Sequence, residues 1–356
     1  MQNGVTSRAA QWYKEGSEIV GRYCWRFFGQ ESTGFAESTS VLHFQDGCSI
    51  GSAGAFRHPW PMQIRSASPR DDSPHPTGPK GIGLALGGGF ARGFAHLGVL
   101  QVLEQNRIPI SCIAGTSVGS ILGAAYASGA PLARILAACR NIRFRDFASW
   151  RISRLGLANN HRLRDLIDRV FETCDFEKMK IPVAIVATDL GTGDPVIFTH
   201  GNMVDAIRAS CAFPGLFEPV QIGTRYLADG GLVAQVPTHA ARVLGAKRVL
   251  AVSVGMQDGY REPPSHVFQV VARAVNAAQK HQMDVWEKHA DLVLRPAVKS
   301  LAWDDFERAS EAIEAGIAVA TRALTRIQKL IAAPEAPNCL PGASDQAELD
   351  FAEMTQ

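Results

Sequence analysis

From Gly81 onward the chain alternates short apolar runs with amphipathic stretches. GIGLALGGG (81–89) is apolar and ends in glycines, the pattern of a strand buried on both faces. ARGFAHLGVLQVLEQN (91–106) predicts a helix, and ISCIAG (110–115) a second strand. In VGSILGAAYASG (118–129), Val118, Ile121, Leu122 and Ala125 fall at helical spacing, and Gly129 and Pro131 close the helix. Further strands are predicted at 183–189, 195–198, 225–229 and 248–254. Helices are predicted near 161–173, 202–211, 235–244, 265–290 and 304–332. Strands alternating with helices indicate an α/β fold whose mostly parallel sheet is covered on both faces.

The first 80 residues have a different texture. SASPRDDSPHPTGPK (66–80) reads as a linker, and 29–65 mixes polar and Gly/Pro-rich pieces without a sustained period, so weak order is expected over 1–79. The exception is 8–28, where Trp12, Ile19, Val20, Tyr23 and Phe27 fall near one helical face. That stretch predicts a short helix, docked on the domain or lying in a lipid interface as a peripheral membrane contact. The catalytic domain is expected over 80–332, with its motif core at 82–244, and 333–356 as a loose tail.

Composition narrows the class. Hydrophobic residues make up 46% and charged residues 20%, as in ordinary globular proteins. The net charge of +2 gives no push toward nucleic acid. Seven cysteines, an odd number without metal-ligand spacing, argue against a disulfide framework or a zinc site and for a reducing, cytoplasmic setting. The N-terminus lacks a secretory pattern, and no run reaches the roughly 18 apolar residues of a membrane span.

Two stretches fit Gly-x-Ser-x-Gly: Gly47 to Gly51 and Gly115 to Gly119. A nucleophilic serine on this turn needs a strand before it and a helix after it. Ser117 has both; Ser49 is followed by GSAGAFRHPWP, which cannot continue as a helix across Pro59 and Pro61. Ser117 is therefore the candidate nucleophile. Upstream, Gly87, Gly88, Gly89, Arg92 and Gly93 form a glycine-rich strand-to-helix turn. A dinucleotide site would need glycine where Arg92 stands. The backbone amides of Gly88 and Gly89 instead suit an acyl oxyanion.

A serine needs a base. His161, His200, His239, His266, His281 and His289 follow Ser117, but only His200 lies near a strand end, and its THGN context reads as a surface turn. Asp229 ends the RYLAD strand and is followed by Gly230 and Gly231, leaving room for another group to approach. Asp189 is the competing acid, in a capping role. A Ser117–Asp229 dyad follows as the expectation, with partial desolvation raising the carboxylate toward a useful basicity.

GGGFARG, GTSVG and DGG, in this order and spacing, resemble the glycine loop, nucleophile elbow and aspartate motif of the patatin-like phospholipase family, bacterial type. The similarity runs from Ile82 to Pro237 and more loosely to about residue 330. The resemblance implies a three-layer α/β/α sandwich and a Ser–Asp dyad working without histidine. It implies no metal or other cofactor and lipid acyl esters as substrates at a membrane or micelle surface. Val233 to Pro237 (VAQVP) departs from the asparagine-rich text the family often carries, which touches loop support. Phe213, Leu216 and Phe217 in CAFPGLFEP could line an acyl groove or pack in the core. Beside lipid hydrolysis stand a non-lipid esterase or thioesterase and a non-catalytic lipid binder.

Overall fold

The computed structural model describes residues 81–140, 142–151, 153–255, 263–265 and 267–333. The expected helix at 8–28, the linker, Ser49 and the tail beyond 333 lie outside them. The apolar runs become the strands β1 (Ile82–Leu86), β2 (Ile110–Thr116), β5 (Val183–Asp189), β6 (Pro195–Phe198), β8 (Arg225–Asp229) and β9 (Val249–Val252). Between them lie α1 (Ala95–Gln105), α2 (Val118–Ala127), α5 (Leu163–Val170), α6 (Val204–Ser210), α7 (Thr238–Val243), α8 (Val267–His281), α9 (Met283–Glu287) and α10 (Ala309–Ala332). Elements that the pattern reading does not contain are α3 (Leu132–Arg140), α4 (Phe144–Phe147), the two-residue strands β3 (Ser149–Trp150) and β4 (Ala158–Asn159), β7 (Val220–Ile222) and β10 (Leu292–Leu294).

Eight strands make one mixed sheet. β10, β9, β1, β2 and β5 run parallel, while β6, β7 and β8 join antiparallel. Side-chain alternation divides the core into two unlike faces. Leu84, Leu86, Ile113, Ile185, Leu250 and Val252 point into the larger cluster with α1 and α10. Ala85, Cys112, Ala114, Ala184, Val186 and Ala251 point to the other face, where small side chains let α7 pack close.

The registers explain how the site forms. Val186 pairs with Thr116 of β2 and with Ile197 of β6; the next residue, Ala187, pairs with Asp229 of β8 and with Val196 of β6. A strand residue has one neighbour on each flank, so β2 and β8 lie on the same flank of β5, opposite β6. They run toward one another, and their last residues stand one step apart, about 3.3 Å along β5. Asp229 reaches the level of Ser117 because its strand arrives from the opposite direction.

Candidate active site

Ser117 sits between β2 and α2 with φ 53° and ψ −125°, in the left-handed region that non-glycine residues avoid. Such a conformation costs about 1–3 kcal/mol and persists only where the surroundings enforce it. Three bonds do so. The Ser117 N–H donates to Ser210 Oγ at 2.8 Å, and Ser210 Oγ donates to the Val186 carbonyl at 2.6 Å. Ser120 Oγ donates to the Ser117 carbonyl at 2.6 Å. Both elbow glycines allow backbone crossings: a Cβ at Gly119 would stand 2.2 Å from the Leu86 oxygen, and one at Gly115 2.5 Å from the Ser120 Cα.

Asp229 is 5% exposed. Its Oδ1 accepts from the Gly231 N–H at 2.7 Å, and its side chain and Ser117 line the same cleft. Burial lifts its pKa to about 6, against the pull of the Gly231 N–H and of the Ser117 hydroxyl. Thr188 Oγ1 holds the Asp229 carbonyl at 2.8 Å. Gly230, at the turn, lies so close to β5 that a Cβ would stand 2.1 Å from the Val186 oxygen. Burial, with the charge of Asp229, pushes the Cys211 thiol's pKa up, so it stays protonated.

The glycine loop differs from its sequence reading in one respect. The Gly88 N–H is taken by the Gln235 carbonyl at 3.0 Å, and the Gly87 N–H by the Val252 carbonyl at 3.0 Å. Gln235 Nε2 in turn donates to the Gly88 carbonyl at 2.9 Å, so this buried residue grips Gly88 from both sides. Gly88 lies against Ser117, but its amide is spent. Among the described residues, the backbone amides of Gly89 and of Val118, the first residue of α2, have no backbone acceptor. Arg92 is buried in the following 3-10 turn, and Gly93 lies where a Cβ would strike Val118 at 2.3 Å.

Two cavities meet at this point, and Ser117 and Phe90 line both. One is apolar. It runs past Val118, Ile121 and Ala125 of α2, with Ile135, Leu166 and Phe217 among its walls. Its open space, mouth included, is about 830 Å³. The other, more polar cleft, of about 680 Å³, is lined by Gly88, Gly89, Arg92, Asp229, Gln235 and Gln279 together with Phe213, Phe268 and Trp303. The three apolar residues of the 211–219 loop separate accordingly. Phe217 lines the apolar cavity and Phe213 the polar cleft, whereas Leu216 is buried in the core and lines neither.

Among the described residues no histidine lines either cavity. His161, His200, His239, His281 and His289 are exposed. His96 is buried beneath the loop, its Nε2–H bonded to the Gly87 carbonyl at 2.8 Å, and burial drives its pKa down to about 4. Asp189 pairs with Leu227, two residues beyond the Asp229 level, and its Oδ1 caps the Gly191 N–H at 2.8 Å. Among the described residues no three His, Cys, Asp or Glu side chains gather as metal ligands, and no helix is long and apolar enough to cross a membrane.

Sequence reasoning missed Ser210, Phe90 and the role of Gln235. Ser210 and Phe90 carry no local signal, since each acts through a residue distant in the chain. Gln235 falls at the departure from the asparagine-rich text, the one hint that loop support changes there.

Residues 84–242 match the model of the patatin-like phospholipase family. An NTE family protein of Mycobacterium tuberculosis is 36% identical over 178 residues, 49% of this chain and 49% of that protein. A lysophospholipase of Mycosarcoma maydis is 33% identical over 183 residues, 50% of this chain and 10% of its own. Patatin-like phospholipase domain-containing protein 6 of Homo sapiens is 33% identical over 190 residues, 50% of this chain and 14% of its own. The alignments thus span about half or less of these relatives. Among solved structures, VipD from Legionella pneumophila aligns with a TM-score of 0.44 at 16% identity, covering 78% of this chain and 76% of that one. Over residues 84–242 the chain thus carries a patatin-like phospholipase domain.

Proposed function

We propose that the protein hydrolyses acyl esters of lipids, as a phospholipase A or lysophospholipase, through a Ser117–Asp229 dyad. The observation that carries this reading is a strained strand-to-helix serine sharing a cleft with a buried carboxylate, at the junction of that cleft with an apolar cavity. The acyl chain lies in the apolar cavity, and the alcohol portion of the ester in the polar cleft. Asp229, with its pKa near 6, is ionised at neutral pH and takes the Ser117 proton as Oγ attacks the carbonyl carbon. The Gly89 and Val118 amides donate to the oxyanion, at the positive end of α2. The C–O bond to the alcohol breaks, and Asp229 returns the proton to that oxygen. Water then attacks the acyl-serine, losing a proton to Asp229; the acyl C–Oγ bond breaks, Asp229 returns the proton to Ser117 Oγ, and the fatty acid leaves.

The test is labelling with a fluorophosphonate, followed by an ester series of rising chain length. The proposal expects the adduct on Ser117, loss of labelling in Ser117→Ala, and a preference for long acyl chains. No adduct on Ser117 would favour the non-catalytic lipid binder. Preference for acetyl esters or thioesters would favour the non-lipid hydrolase.

A further inference from the structure

Between Arg140 and Arg164 the chain carries seven arginines against one acidic residue, Asp146. All seven are exposed, in a protein whose whole net charge is only +2. Among the described residues, the one ion pair any of them makes is Arg164 with Asp205, at 3.9 Å. The same stretch exposes two large apolar side chains, Trp150 at 55% and Leu155 at 60%. They belong with Arg151 and Arg154 to the β3–β4 hairpin, which the Arg151 N–H closes on the Leu157 carbonyl at 3.1 Å. The hairpin is tied to α4, which follows Arg143 and carries Arg145. The Phe144 and Trp150 rings lie 5.3 Å apart, and Arg162 Nη1 donates to the Arg145 carbonyl at 2.9 Å. Ile142, Phe147, Asn160 and Leu163 of this segment line the apolar cavity at Ser117.

We infer that this arginine-rich segment docks the protein on an anionic lipid bilayer. Arginines near such a surface gain from its negative potential, and a tryptophan with an apolar tip settles at the headgroup level. Duplex nucleic acid, whose bases are already stacked, would satisfy the charge but not the exposed Trp150 and Leu155. The position against the cavity gives the arrangement its sense: the wall that would meet the bilayer also lines the space that ends at Ser117. The inference concerns binding and stands whether or not the dyad is active.

The test is co-sedimentation of the full chain with vesicles of phosphatidylcholine alone or mixed with phosphatidylglycerol, at low and high salt. Anionic vesicles should bind the protein, salt should release it, and inorganic phosphate should not compete. The fourfold variant Arg143→Gln, Arg145→Gln, Arg151→Gln, Arg154→Gln should weaken binding by at least ~100-fold, at roughly fivefold per arginine. Trp150→Ala should weaken it by about tenfold, since a buried aromatic side chain contributes on this scale. Labelling of Ser117 by a soluble fluorophosphonate reports whether each variant is folded and should match the wild type. Wild-type binding by a well-labelled fourfold variant would overturn the inference. So would equal binding to neutral vesicles, or duplex DNA displacing the protein from anionic ones. Vesicle binding without any labelling would instead leave the docking intact and remove the hydrolase reading.

Discussion

The two turns that face each other across the sheet edge are built on opposite principles. The Ser117 elbow is largely local: β2 feeds it, α2 follows it, and Gly115, Gly119 and Ser120 shape it within five residues. The glycine loop at 87–89 is held from far away. Val252 takes one amide, Gln235 another together with a carbonyl, and His96 supports it from below. The elbow holds its serine in a strained conformation, whereas the loop spends two amides on anchorage and leaves that of Gly89 without a backbone acceptor. A local device can be read from five letters; a device held at long range cannot.

Asp229→Asn is the severest test of the elbow side. It keeps the shape but removes the base, and kcat should fall by at least ~10³-fold, on the scale of losing a member of a catalytic triad. The same change should stabilise the fold at pH 7. A carboxylate whose folded pKa stands near 6 rather than 3.8 favours folding fully below the lower value and loses that contribution as pH rises through 6. Removing the charge restores up to about 3 kcal/mol, visible as a rise of several degrees in Tm. Retained activity, or a lower Tm, would contradict the assignment.

Gln235→Ala tests the loop side. Its backbone carbonyl still holds the Gly88 amide, but the Gly88 carbonyl loses its partner. We expect kcat to fall about 10- to 100-fold with KM little changed, less than the 10²–10³ of deleting an oxyanion donor outright. An unchanged kcat would mean that backbone bonds alone set the loop. Ser210→Ala would show how far the elbow depends on its one distant brace. It leaves a buried N–H and a buried carbonyl unpaired, which should cost about 1–3 kcal/mol in chemical denaturation, with kcat reduced less than tenfold.

The smallest effect is a cancellation. His96, lowered to about 4, loses stability as pH falls from 6.5 toward 4, because the unfolded chain takes up the proton first. Asp229 acts with the opposite sign over nearly the same window. Stability should therefore change little from this pair in the wild type, while Asp229→Asn should expose a decline on acidification, measured by urea unfolding at several pH values.

Much of the fold was legible. The strands at 183–189, 195–198 and 225–229 coincide with their apolar runs, because each run is bounded by turn residues. Their directions were not: β8 reverses relative to β5, and nothing in RYLAD says so. The 132–159 region also escaped, since α4 and the hairpin are too short for periodicity to register. Ser117 and Asp229 could be read as candidates from local motifs. Their meeting depends on β2 and β8 converging on adjacent residues of β5, a long-range register that no motif encodes.

The central claim is that Asp229 is the base for Ser117 and that no histidine takes part. The most direct measurement is the rate of fluorophosphonate labelling at Ser117 as a function of pH, in the wild type and in Asp229→Asn. The account predicts a single ionisation near pH 6 in the wild type, with labelling falling below it, and loss of both the rate and the ionisation in the variant. Labelling of Asp229→Asn at the wild-type rate, with the same pH dependence, would contradict it.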